Sequence, residues 1–239
     1  MLQQRFPECL SLRQALRFLS ATGWTIPNTI AETLPYAEAG AVVTMYSLDG
    51  GIVDLAAANN AELSIAYKKF RKAGAGTVNV RTALAFALAK VPVVDPKKIV
   101  VAGHSSAGTE SLLVAAHELR VAAAIAYCPC TDVQTRIVEF VDPVRGNPLF
   151  PDVEIIFQKS FPKAQAAKIK CPVFPFHAID DSNCPYAESQ QFLELLKSSG
   201  KDATLSEPAA FGDHYQPMID EGVPRAIVWL RSRGIFSPQ

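Results

Sequence analysis

Strand-like apolar runs at 41–47 (AVVTMYS), 98–102 (KIVVA), 121–127 (VAAAIAY) and 172–177 (PVFPFH), with a weaker one at 203–207 (ATLSE), alternate along this chain with segments of helical period. The helical segments, 29–38, 60–73, 79–90, 108–119, 186–199 and 217–232, carry apolar residues three and four apart, as Phe192, Leu193, Leu195 and Leu196 do. A strand that is apolar throughout has neither face in water, and helices between such strands serve as crossovers between parallel neighbours. The alternation therefore predicts an α/β fold: a mostly parallel sheet with helices on both faces. In sheets of this kind the loops at the strand C-terminal ends hold the site.

At 239 residues, 49% of them hydrophobic and 19% charged, the chain has material for one core, and residues 1–239 read as a single α/β domain. Lys+Arg and Asp+Glu both total 23, so no net field draws the protein to nucleic acid or to anionic lipid. The longest apolar runs fall far short of the roughly 20 residues that a membrane helix needs. The opening residues carry arginines inside their apolar part and show no secretory pattern, and the five cysteines are an odd, dispersed set. Together these predict reduced thiols and a cytoplasmic setting. Cys128-Pro-Cys130 is too close for ordinary zinc spacing and no Cys/His pair elsewhere supplies a second half-site, so neither metal nor cofactor is expected. Residues 128–160 break the alternation and read as an insertion, either a lid over the site or a long connection.

The sharpest local signal is KKIVVAGHSSAGTESLLVAAHE, in which a strand runs into Gly103-His104-Ser105-Ser106-Ala107-Gly108 and a helix follows at once. A nucleophile on so tight a turn needs small residues two before and two after it, because strand and helix approach closely there. Gly103 and Ala107 fill those places around Ser105; centring the turn on Ser106 would put His104 in the first. A serine hydroxyl is barely ionised at neutral pH and needs a base, which in turn needs a carboxylate to orient it. In chain order Ser, acid, His, the acid falls in AIDDSNCPYAESQQ, at Asp180 or Asp181, and position alone does not separate the two. Of the four histidines, only His214 follows the last strand and precedes the last helix. His104, His117 and His177 read as structural.

These segments resemble the catalytic domain of the prolyl oligopeptidase family of serine peptidases, and more loosely the dienelactone-hydrolase-like and acetyl-xylan-esterase-like α/β hydrolases. The resemblance covers roughly residues 34 to 235. It rests on DPKKIVVAGHSSAGTESLL, IKCPVFPFHAIDDSNCPYAESQQFLELLKSSGKD and FGDHYQPMIDEGVPRAIVWL, in the family's order. It implies the α/β-hydrolase fold. Counting from His177-Ala178, where the family has His-Gly, it also implies Asp181 as the acid. No stretch corresponds to the β-propeller of larger members, and residues 1–25 look unlike the family's opening strands, so a reduced N-terminal sheet or a truncated copy is expected.

What the resemblance implies is a Ser105–Asp181–His214 serine hydrolase. Its oxyanion would be held by the backbone N–H of Ser106 and by a second donor after an early strand, where Thr22, Gly23 and Trp24 stand and Gly23 is the choice. Each such donor is worth about 3 to 4 kcal/mol. The substrates implied are short peptides or small-molecule esters, and dienelactone chemistry is disfavoured because a serine stands where those enzymes have cysteine. The competing expectation is a non-catalytic binding protein, or truncated pseudoenzyme, that kept the fold.

Overall fold

The computed structural model describes residues 16–21, 26–51, 58–132 and 144–237. Among these residues five strands, β1 (Leu16–Ala21), β2 (Ala41–Tyr46), β3 (Ile99–His104), β4 (Val121–Tyr127) and β5 (Val173–Phe176), form one open sheet in the order β2-β1-β3-β4-β5. Every adjacent pair is parallel. Among the described residues the α-helices are α1 (Ile26–Glu38), α2 (Asn60–Lys72), α3 (Thr77–Lys90), α4 (Ser106–His117), α5 (Val153–Lys159), α6 (Pro162–Gln165), α7 (Tyr186–Ser198) and α8 (Val223–Ser232). None of the described helices is long and apolar enough to cross a membrane.

The continuous apolar runs have the cause read from them. Along β3, Ile99 and Val101 pack into one layer with Val80 and Leu84 of α3, Leu112 of α4 and Phe192 and Leu196 of α7. Val100 and Ala102 pack into the other with Tyr36 of α1 and Ala226, Trp229 and Leu230 of α8. A strand with both faces covered has no place for a polar alternate. Each large aliphatic side chain removed from water this way contributes about 1.5 to 3 kcal/mol.

Three details were not read from the sequence. In residues 1–25, which look unlike the family's opening strands, Leu16–Ala21 forms β1, which lies between β2 and β3 with Ala21 opposite Gly103. A strand of six residues that includes Arg17 is recognisable only through its two neighbours, which a local pattern does not carry. The weak strand at 203–207 is an extended segment beside β5. It is held by Thr204 N–H to Val173 O and Ser206 N–H to Pro175 O, both 2.9 Å, and forms only an isolated bridge at Ala203. The single helix expected over 217–232 begins as a π-turn, Met218–Gly222, before α8. Pro224 has no N–H to give to the carbonyl four residues back, so a regular α-helix cannot run through from 218.

In the 128–160 segment, residues 133–143 lie outside the described residues. The following part packs on α2: Ser64 Oγ–H bonds Leu149 O at 2.9 Å, Arg71 pairs with Asp152 at 2.7 Å, and Phe157 stacks on Phe70.

Candidate active site

Ser105 sits between β3 and α4 with φ 56° and ψ −121°, a backbone conformation that side-chain-bearing residues rarely adopt. Strain of this kind costs about 1 to 3 kcal/mol and persists only where the surroundings enforce it. Here they do. Ser105 N–H bonds Tyr127 O at 2.9 Å at the end of β4, and Ser105 O accepts Thr109 N–H at 3.0 Å. The Thr109 hydroxyl donates to Cys130 O at 2.8 Å and accepts Cys130 N–H at 3.0 Å. A Cβ on Gly103 would lie 2.3 Å from Ala107 O, which is why strand and helix can meet only if that position is glycine. Gly108, not singled out from the sequence, faces the carbonyls of Gly103 and Tyr127 less closely, 3.0 Å from each to an added Cβ.

Ser106 opens α4, so its N–H has no partner inside the helix, and the helix N-terminus favours negative charge nearby. Thr22, Gly23 and Trp24, from which the second donor was expected, lie outside the described residues.

The two adjacent aspartates have different partners. Asp181 Oδ2 accepts His214 Nδ1–H at 2.8 Å, while Asp181 Oδ1 accepts the N–H groups of Asn183 and Cys184, both at 2.8 Å. Asp180 accepts the N–H groups of Gly212, at 3.0 Å, and Asp213, at 3.3 Å, and so braces the histidine loop by its backbone. Asp213 returns the tie by accepting Ser182 N–H at 2.8 Å. Burial pushes the Asp181 carboxyl up, but the Cys184 N–H, the His214 ring and the Asn183 N–H outweigh it and hold the group below the usual carboxylate range.

Two histidines read from the sequence as structural belong to this network. His177 Nε2–H donates to Cys184 O at 2.8 Å and lies 3.1 Å from Asp181 Oδ2, and its Nδ1 accepts from Ser189 Oγ at 2.8 Å. His104, next to Ser105, donates from Nε2 to His214 O at 2.8 Å, and the two rings lie 4.5 Å apart. The elbow and the histidine loop are thereby tied together. A carbonyl only accepts, so Nδ1 of neutral His104 carries the lone pair; a carboxylate only accepts, so Nε2 of neutral His214 carries it. Burial lowers the His104 pKa to about 4. Cys128, Cys130, Cys171 and Cys184 are buried and form no disulfide among the described residues, and Cys9 lies outside them. No spacing rule pointed to Cys128, because the residues it meets come from distant loops.

The model of the prolyl oligopeptidase family matches residues 61–209. The uncharacterized peptidase YuxL of Bacillus subtilis (strain 168) is 26% identical over 133 residues, 53% of this chain and 20% of that protein. Among solved structures, an acylaminoacyl peptidase of Pyrococcus horikoshii is similar at a TM-score of 0.72 with 16% identity, over 98% of this chain and 39% of its own. Est1E from Butyrivibrio proteoclasticus is similar at a TM-score of 0.63 with 17% identity, over 92% of this chain and 88% of its own. At such identities the likeness is one of fold. The chain spans about a fifth of the curated relative and under two fifths of the acylaminoacyl peptidase.

Proposed function

The chain belongs to the prolyl oligopeptidase family and has the α/β-hydrolase fold, and on that premise we propose that it is a serine hydrolase of short peptide, amide or carboxylic ester bonds. Ser105 is the nucleophile, His214 the general base and Asp181 the carboxylate that orients the imidazole. The observation that carries this reading is the strained Ser105 elbow tied through His104 to the loop whose His214 ring is bonded to Asp181.

The chemistry follows from the tautomers. With Nδ1–H held by Asp181, His214 has its lone pair at Nε2, the nitrogen that takes the Ser105 proton as Oγ attacks the carbonyl carbon. The imidazolium formed is stabilised by the Asp181 carboxylate and returns the proton to the leaving group. Water activated by the same nitrogen then releases the acid from the acyl-enzyme. The Ser106 N–H at the start of α4 is one donor to the oxyanion. For the second, the chain leaving β1 is the source we favour, since Ala21 pairs with Gly103 two residues before the nucleophile; Gly23 is our choice within it.

The substrate class is tested by comparing short acyl esters with aminoacyl amides, with Ser105→Ala as control. Turnover of either that vanishes in the variant supports the reading. Turnover that survives in it places the chemistry elsewhere.

A further inference from the structure

We propose that Cys128, His104 and His214 together form a zinc(II) site, and that zinc bound there shuts off the hydrolase. A ring nitrogen of each histidine and Cys128 Sγ all lie within 4.8 Å of one another. The three residues come from three separate places in the chain: His104 ends β3, Cys128 follows β4, and His214 lies in the loop before the π-turn. Thiolate and imidazole select a borderline-soft ion over magnesium or calcium. Three protein ligands with a fourth position left for water is a common zinc arrangement. Bonds of about 2.0 to 2.3 Å require the ligands to draw in to roughly 3.5 Å from one another.

The hydrogen bonds already present leave each imidazole one lone pair. Neutral His104 keeps Nδ1 because its Nε2–H is given to His214 O, and His214 keeps Nε2 because its Nδ1–H is given to Asp181. That second bond is the carboxylate–histidine support that metal-bound imidazoles usually have. A neighbouring group of Cys128, His177 and Asp181 is equally compact, but both nitrogens of His177 are already engaged, one by Cys184 O and the other by Ser189. On binding, the Cys128 S–H bond is exchanged for an S–Zn bond and its proton goes to solvent, with no change of oxidation state.

The inhibition rests on the reading of His214 as general base, because zinc occupies the lone pair that would accept the Ser105 proton. The metal site itself does not rest on that reading. The test is titration of the full chain with cobalt(II), the spectroscopic substitute for zinc, alongside zinc inhibition of ester hydrolysis. A thiolate-to-cobalt charge-transfer band at one ion per chain, displaced by zinc, is expected. Cys128→Ser should lose that band, and whatever activity it retains should be less zinc-sensitive by about 10- to 100-fold or more, the range lost even when groups that only support a ligand are removed.

X-ray absorption of the zinc-loaded wild type needs no variant to fold, and should show one sulfur and two imidazoles. Absence of the band, a first shell without sulfur, or equal zinc sensitivity in Cys128→Ser overturns the proposal. A band in a protein that hydrolyses nothing supports the metal site and counts against the proposed hydrolase.

Discussion

Asp181 Oδ2 receives the Nδ1–H of His214 at 2.8 Å, whereas its neighbour Asp180 receives backbone N–H groups of the histidine loop. Asp181→Asn should therefore cost about ten-thousand-fold in kcat, the loss typical when an amide replaces the triad carboxylate and the wrong tautomer is held. Asp180→Asn keeps an oxygen for the same N–H groups and should lose less than about tenfold. Steady-state kinetics on folded variants checks this, and equal losses would move the acid.

Ser105 and Ser106 offer the proposed reaction different atoms, a side-chain oxygen and a backbone N–H. Ser105→Ala should abolish turnover with little change in melting temperature. Ser106→Ala keeps the N–H and should stay within about tenfold of wild type. Comparable loss in both would contradict the placement of the elbow.

Gly103→Ala would bring a Cβ to 2.3 Å from the Ala107 carbonyl oxygen, a backbone atom with no rotamer to move. The expected cost is at the upper end of about 1 to 3 kcal/mol or beyond, read by denaturant unfolding. A variant of wild-type stability would mean that β3 and α4 do not meet as described.

Glu110 of α4 is buried, with Oε1 unpartnered among the described residues and Oε2 reached by the Tyr46 hydroxyl at 3.4 Å. Burial pushes its pKa up to about 8, from an ordinary 4.5. The folded state therefore keeps a proton that the unfolded chain gives up. Its contribution to stability is full below pH 4.5 and falls away as pH rises to about 8. Glu110→Gln removes that linkage and should be more stable than wild type at pH 8, by about 1 to 3 kcal/mol, with the advantage shrinking toward pH 5. Unfolding across that range checks it; parallel profiles would contradict the buried, protonated state.

The residues that declared themselves in the sequence are those whose chemistry imposes a local pattern. Gly103, Ser105 and Ala107 are spaced by the turn itself, and β3, β4 and α7 announce themselves through core-facing side chains. β1 did not, because its partners β2 and β3 stand later in the chain. The roles of His104 and His177 stayed hidden for a related reason. Each bonds an atom of another loop, His214 O or Cys184 O, and a single sequence does not say which loops face one another. Asp180 and Asp181 differ only in where their carboxylates point, which position in the chain leaves open. Cys128 is the extreme case: buried small thiols are common core residues, and only the sheet order brings this one to His104 and His214.

Labelling with a fluorophosphonate probe, followed by peptide mapping and a Ser105→Ala control, reads whether Ser105 is an activated nucleophile. Stoichiometric modification at Ser105, lost in the control and slowed in His214→Ala, is the expected result. A folded protein that does not label, or one labelled elsewhere, would contradict the triad and favour a binding protein that kept the fold without its chemistry.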